Sequence, residues 1–332
     1  MAVADAGAQY SAAALYHARS QRHNASLRQR DHVSRAVRAG GRRLRRDPHA
    51  GQRACGCRHH TPGQSEPRPA YPGVTRDNGI VLGIETSCDE TSVALVRDND
   101  IIANAVFTQE QHSLFGGVVP EIASREHIKK IAPLCRGVLD RTATAPRDLS
   151  LIAVTDSPGL AGALLVGISY ALGVHCSWGV PVIGVNHLEG HIVSVTLENP
   201  ALQFPFVALV VSGGHTALYH VAGYGDYRCL GRTIDDAAGE AFDKVGKLLG
   251  FGYPAGRAIE QEAAACVSAD RIGFPVARLD TRNSDFSFSG LKTAVMNLVR
   301  QQQADGAELD KPLLAKSVQE AIVDTLATKA LR

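Results

Sequence analysis

Two histidines four residues apart, His187 and His191 in the stretch VNHLEGH, and the glycine-rich turn VSGGH at Val211 to His215 are the residues whose types and spacing point to chemistry. On a helix, residues i and i+4 lie one above the other, so two imidazoles at this spacing can hold one cation through their ring nitrogens. A Gly-Gly pair after an apolar strand lets the backbone approach a ligand closely, and its N–H groups together with the Ser212 hydroxyl suit a phosphate. Each motif also has an ordinary reading, as helix-surface histidines and as a plain hairpin turn. The His pair departs from the HExxH of zinc proteases, because Leu188 follows the first His and Glu189 comes one position later, rotated to another face.

A second group of chemically capable residues follows in Asp235, Asp236, Glu240 and Asp243. They read either as catalytic carboxylates or as a capped, acidic helix start. Asp235 and Asp236 suit the cap, whereas Asp243, beside Phe242, sits deeper in the helix. The run DFSFSGLKTAV from Asp285 to Val295 has the composition of another helix start.

The elements that must position these residues are legible from periodicity. IVLGIET, SVALVRD and IIANAVF read as three adjacent strands, with SCDET as the first turn. Pro120 to Leu139 places Ile122, Ile128, Ile131, Leu134 and Val138 at helical spacings, LIAVT is a strand, an apolar helix follows, and PVIGV is the strand that enters the His pair. A second three-strand start, FPFVALVVSGGHTALYHVAG and then YRCLGRTI, leads into a helix from Asp236 on which Ala238, Phe242, Val245 and Leu249 share a face. Two lobes that each open on a hairpin form the arrangement of the actin, Hsp70 and sugar-kinase ATPases, in which phosphates sit between the hairpin turns.

The chain of 332 residues is 45% hydrophobic and 20% charged, a globular composition with length for two domains. Charge is unevenly placed: residues 1–73 hold thirteen Arg, no Lys and four acidic residues, a formal +9, against −7 for the rest. With no sustained apolar periodicity, residues 1–78 are expected to be a disordered Arg-rich extension, the alternatives being a mitochondrial import segment and an upstream false start of translation. Its Cys55, Cys57, His59 and His60 lack a second ligand pair at zinc-finger spacing. The seven Cys form no CxxC pair, no signal peptide is visible, and the longest near-apolar run, Leu160 to Val174, is broken by glycines and shorter than the ~18 residues that span a bilayer. A cytoplasmic protein without a membrane segment is expected. The acidic balance of the ordered part argues against strong unaided binding of a nucleic-acid backbone.

Taken together, GIETSCDET (Gly83 to Thr91), GGVVPEIASREH (Gly116 to His127), SPGLAGALLVG (Ser157 to Gly167), NHLEGH (Asn186 to His191), VSGGHT (Val211 to Thr216), IDDAAGEAFDKVGKLLG (Ile234 to Gly250) and DFSFSGLKT (Asp285 to Thr293) closely resemble the tRNA N6-adenosine threonylcarbamoyltransferase family, once described as O-sialoglycoprotein endopeptidases. The resemblance implies an α/β, two-lobed actin-like ATPase (ASKHA) fold, with a first lobe at 79–184 and a second at 185–332. It implies an acyltransferase that moves the threonylcarbamoyl group from threonylcarbamoyl-adenylate to N6 of the adenosine 3′ of the anticodon in ANN-decoding tRNAs. Carried over by motif, His187 and His191 hold one Fe2+ or Zn2+ per subunit. Val210, Val211, Ser212, Gly213 and Gly214 bind the adenylate, with Asp243 and Gly256 contacting it too. The implied partners are tRNA, a paralogous scaffold subunit (TsaB-like) and a small ATPase (TsaE-like).

Family members continue past the last helix of this chain into a GGVxxN motif and a CTDN-type Asp, the third metal ligand. On that comparison the second lobe is expected to be incomplete, the metal to have two protein ligands, and turnover by this chain to be in question. The competing readings are a non-catalytic scaffold subunit and a metallopeptidase. Asn186 stands where a His is usual, Asp156 and Ser157 precede Pro158 where a Gly is usual, and Ala255 stands where a Gly is usual. The Ala255 methyl is expected to strain the backbone if that position needs φ above zero.

Overall fold

Every residue of Ile80–Glu85 is buried, and a strand buried on both faces belongs in the middle of a covered sheet. In the computed structural model, which describes residues 79–97, 100–199, 201–274 and 284–331, this strand (β1) is central in a five-stranded sheet of order β3-β2-β1-β4-β5. Strands β2 (Glu90–Arg97) and β3 (Asp100–Thr108) continue antiparallel from it, with Glu85 opposite Ser92 and Ala94 opposite Asn104. On its other side β4 (Leu149–Ser157) and β5 (Val182–Asn186) run parallel. Helices α1 (Pro120–Arg141) and α2 (Ala161–Trp178) lie on one face, where Ile131, Cys135, Ala171 and Val174 pack with Leu82, Ile84, Val93 and Ile152. The opposite face carries Val81, Leu151, Ala153 and Val185. Helix α3 (His187–Glu198) follows β5 directly.

Helix α2 is long and apolar enough to cross a membrane by length and composition alone. Here Ala163, Leu164, Gly167, Ala171 and Val174 are buried while Leu165 is exposed. Its low amphipathicity follows from apolar residues on both its buried and its exposed sides, Leu165 among the latter.

The described chain divides into two compact units, 79–109 with 119–199 and 110–118 with 201–331. In the second, β6 (Phe206–Val211), β7 (Thr216–Gly223) and β8 (Asp226–Arg232) form a three-stranded antiparallel sheet, the same meander that opens the first unit. Helices α4 (Ala238–Leu249), α5 (Gly256–Ala264), α6 (Ser289–Ala304) and α7 (Lys311–Ala330) complete it. Their core joins Leu218 to Ala238, Val245, Phe286, Val295 and Val318. The α/β class and the twice-used three-strand opening are those expected of an actin-like protein. The Arg-rich extension, with its Cys55–His60 cluster, lies outside the described residues.

Candidate functional site

The sequence turns from strand to helix at one residue. Asn186 is the N-cap of α3, and its side-chain oxygen accepts from the N–H of Leu188 (2.9 Å) and Glu189 (3.2 Å). An Asn in place of the usual His therefore supplies the cap. His187 is the first helical residue and His191 follows one turn later, as their spacing predicts. Their rings stand at 84° with the two Nε2 atoms 3.1 Å apart.

Behind His187 lies a residue that the sequence reading did not single out. Glu85 ends β1, is 4% exposed, and puts Oε2 3.1 Å from His187 Nδ1. Ser87 Oγ lies 3.2 Å from the same nitrogen. The Glu85 carboxylate also accepts from the Ser87 N–H and the Thr155 hydroxyl, each at 2.5 Å. Burial alone would raise its pKa, but the hydrogen bond and charge of His187, with Ser87 and Thr155, hold it down to about 2. An ionised acceptor calls for the proton on Nδ1, and in the neutral ring this leaves the Nε2 lone pair directed at His191. A metal-binding His backed by a carboxylate has this arrangement. Two nitrogens on one zinc ion at ~2.0–2.1 Å lie roughly 3.3 Å apart, so the donor pair fits a shared cation. Among the described residues, no group of three or more His, Cys, Asp or Glu side chains is placed to hold a metal. The signal that could have revealed Glu85 is a lone acid closing an otherwise apolar strand.

The SCDET turn that carries Ser87 is packed from below by the SPGLAG segment. Leu160 N–H donates to the Ser87 carbonyl (2.8 Å), and the Thr86 hydroxyl donates to the Ala163 carbonyl (2.9 Å). A Cβ on Gly159 would come within 2.7 Å of the Ser87 carbonyl oxygen, and one on Gly167 would collide with the Thr86 hydroxyl. These two glycines are required by close approach.

In the other unit the VSGGH turn joins β6 to β7, with Val210 opposite Ala217 and Val211 opposite Thr216. Ser212 does not present a free hydroxyl. Its Oγ accepts from the His215 N–H (3.0 Å), closing the turn. Gly213 and Gly214 are different from the packing glycines: neither has a positive φ, and a Cβ on either would meet no atom within 4 Å. Nothing in the fold requires glycine there, so both positions leave open space beside exposed backbone. The turn is braced by α4, whose Gly239 N–H donates to the Ser212 carbonyl (3.2 Å) and whose first turn is capped by the buried Thr216 hydroxyl, accepting from Ala238 N–H (2.8 Å).

Asp243 Oδ1 accepts from the Ala255 N–H at 2.7 Å, which brings it beside Gly256, the first residue of α5. Burial raises its pKa, the Ala255 hydrogen bond lowers it, and Glu240 raises it further, for a net upward shift. Asp235 and Asp236 do not cap their own helix. Asp236 pairs with Lys244 at 2.6 Å, while Asp235 accepts from Ser287 Oγ, the Phe288 and Ser289 N–H groups and Ser289 Oγ, tethering the start of α6. Ala255 has φ −96°, so the expected strain does not arise. Its buried methyl instead packs on Gly246, where a Cβ would have no room.

Residues 100–332 match the family model for tRNA N6-adenosine threonylcarbamoyltransferase. A Bordetella parapertussis protein of that name is 51% identical over 258 residues, covering 76% of this chain and 74% of its own length. One from Nitrosospira multiformis is 49% identical over 257 residues, with the same coverage. The chain belongs to the tRNA N6-adenosine threonylcarbamoyltransferase family. Among solved structures, component A of Acidaminococcus fermentans (R)-2-hydroxyglutaryl-CoA dehydratase aligns at 12% identity and TM-score 0.44 over 76% of this chain and 78% of its own. YeaZ from Pseudomonas aeruginosa aligns at 15% identity and TM-score 0.34 over 69% and 93%. For this threonylcarbamoyltransferase family member, the structure thus groups His187 and His191 with Glu85 and Ser87 in one unit. It groups Val210 to Gly214 with Gly239, and Asp243 with Gly256, in the other.

Proposed function

We propose that the protein transfers a threonylcarbamoyl group from threonylcarbamoyl-adenylate to N6 of the adenosine 3′ of the anticodon in ANN-decoding tRNAs, releasing AMP. A bond forms between N6 and the carbamoyl carbon, the bond from that carbon to the AMP phosphate oxygen breaks, and N6 loses a proton. The observation that best supports this reading is the His187–His191 pair backed by Glu85, found in a chain of this family.

In this reading His187 and His191 hold Fe2+ or Zn2+, which when bound supplies a Lewis acid for the carbamoyl carbonyl. Glu85 keeps the His187 proton on Nδ1, and with it the Nε2 lone pair available. Gly213 and Gly214 give the adenylate phosphate access to backbone N–H groups, and that stabilises the leaving AMP. Asp243 and Gly256 are assigned to the same substrate. The partners are tRNA, a paralogous scaffold subunit and a small ATPase, and the location is cytoplasmic.

The test is a single-turnover assay. The chain is mixed with threonylcarbamoyl-adenylate, an anticodon-stem tRNA and the partner proteins, and metal is determined on the same sample. Modified adenosine that disappears with His187→Ala supports the reading. Modification that persists undiminished in His187→Ala sinks the role of the pair, and no product with any partner set favours the non-catalytic scaffold.

A further inference from the structure

Behind the Glu85–Ser87 corner stands a histidine that the proposed reaction does not touch. His127, on α1, is 0% exposed. Its Nε2 lies 2.9 Å from the backbone carbonyl oxygen of Cys88, and its Nδ1 lies 2.8 Å from the Thr91 hydroxyl. A carbonyl can only accept, so Nε2 carries the proton and Nδ1 accepts from Thr91. The ring is a strut between α1 and both sides of the SCDET turn. The neighbouring carbonyls are held by backbone, Ser87 O by Leu160 N–H (2.8 Å) and Asp89 O by Gln109 N–H (3.1 Å). The middle carbonyl of the three is the one taken by a side chain.

We infer that His127 is a positioning residue for His187. The path is short. Holding Cys88 O sets the adjacent Ser87, whose N–H donates to Glu85 Oε1 and whose Oγ approaches His187 Nδ1. The other Glu85 oxygen accepts the hydrogen bond from His187 Nδ1–H. A turn released from His127 would shift Ser87, loosen Glu85 and let the His187 ring choose its other tautomer. The inference rests on reading His187 as a cation donor only for its functional consequence, since the tautomer can be observed without metal.

The full chain is labelled with 15N, and the imidazole nitrogens of His187 are read from a long-range proton–nitrogen spectrum in metal-free buffer, followed by a Zn2+ competition titration. The parent is expected to show His187 protonated at Nδ1. His127→Leu should give a mixture of tautomers and roughly tenfold weaker Zn2+ binding. His127→Gln, with a donor and an acceptor at similar reach, should restore both. Unmoved His187 signals in a folded His127→Leu protein overturn the inference, as does equal impairment by Leu and Gln. If the Leu variant does not fold, Thr91→Val replaces it. An intermediate loss of the Nδ1-protonated form is then expected, and no change overturns the idea. A parent that shows the Nδ1 signature without binding Zn2+ refutes the metal reading, while the spectra alone then decide the role of His127.

Discussion

Nδ1 of His187 and Oε2 of Glu85 lie 3.1 Å apart although 102 positions separate them in the chain. The contact joins the end of the central strand to the first residue of α3, and both ends are braced. Glu85 is held by Ser87 and Thr155, and α3 by the Asn186 cap. A carboxylate locked in this way dictates which imidazole nitrogen carries the proton, and so which is free to bind a cation.

Replacing that carboxylate by an amide keeps its shape and removes its charge. Glu85→Gln is expected to weaken Zn2+ or Fe2+ binding by roughly 10–100-fold. Competition titration against a chromophoric chelator measures this, and parental affinity would mean that the His187 orientation is set elsewhere.

The fit of Ala255 against Gly246 predicts a size swap. Ala255→Gly loses a buried methyl and adds unfolded-chain freedom, so stability should fall by about 1 kcal/mol. Gly246→Ala inserts a methyl where Ala255 already stands and should cost about 1–3 kcal/mol. Combined, the two should be less destabilising than their sum, because one methyl replaces the other across the same contact. Denaturant melts of the four proteins give the coupling, and simple additivity would contradict the packing.

Close approach also governs Gly167. Its missing Cβ makes room for the Thr86 hydroxyl that bonds to Ala163. Gly167→Ala should therefore destabilise by about 1–3 kcal/mol despite the better helix propensity of Ala. The effect should shrink in a Thr86→Ala background. A more stable Gly167→Ala protein would show that the helix backs away freely.

Asp235 ties the start of α6 to the segment before α4. Removing its acceptors by Asp235→Ala is expected to cost about 1 kcal/mol at neutral pH. Burial raises its pKa, but the hydrogen bonds from Ser287, Phe288 and Ser289 outweigh this and place it below the ordinary 3.8. Because the folded value is the lower one, the stabilisation is present above the unfolded pKa and is lost as pH falls through the folded value. The melting-temperature gap between parent and Asp235→Asn should thus be full above pH about 4 and close in more acidic buffer. A gap that widens on acidification would refute the assignment.

Much of the fold was legible because it depends on local patterns. The runs IVLGIET, SVALVRD and IIANAVF became β1 to β3, and the HxxxH spacing placed both imidazoles on one helical turn. The helix start near Asp236 was found, but its cap was misassigned. A carboxylate before a helix suits that helix's N–H groups, and nothing in the local sequence says that Ser287 and Ser289 will arrive to claim Asp235 instead. Ala255 was misjudged for a related reason, since whether its position needs a positive φ is decided by how α5 meets Gly246.

The amino-acid sequence by itself determined the strand and helix order, the paired imidazoles and the family, since periodicity, turn residues and motif spacing are properties of neighbouring positions. Only the tertiary structure decided that Glu85 stands behind His187, that His127 braces Cys88, and that Gly167 is required while Gly213 and Gly214 leave open space. Those outcomes depend on which distant backbones approach within a hydrogen bond or a methyl group of one another, and such distances exist only once the sheet and its helices are packed.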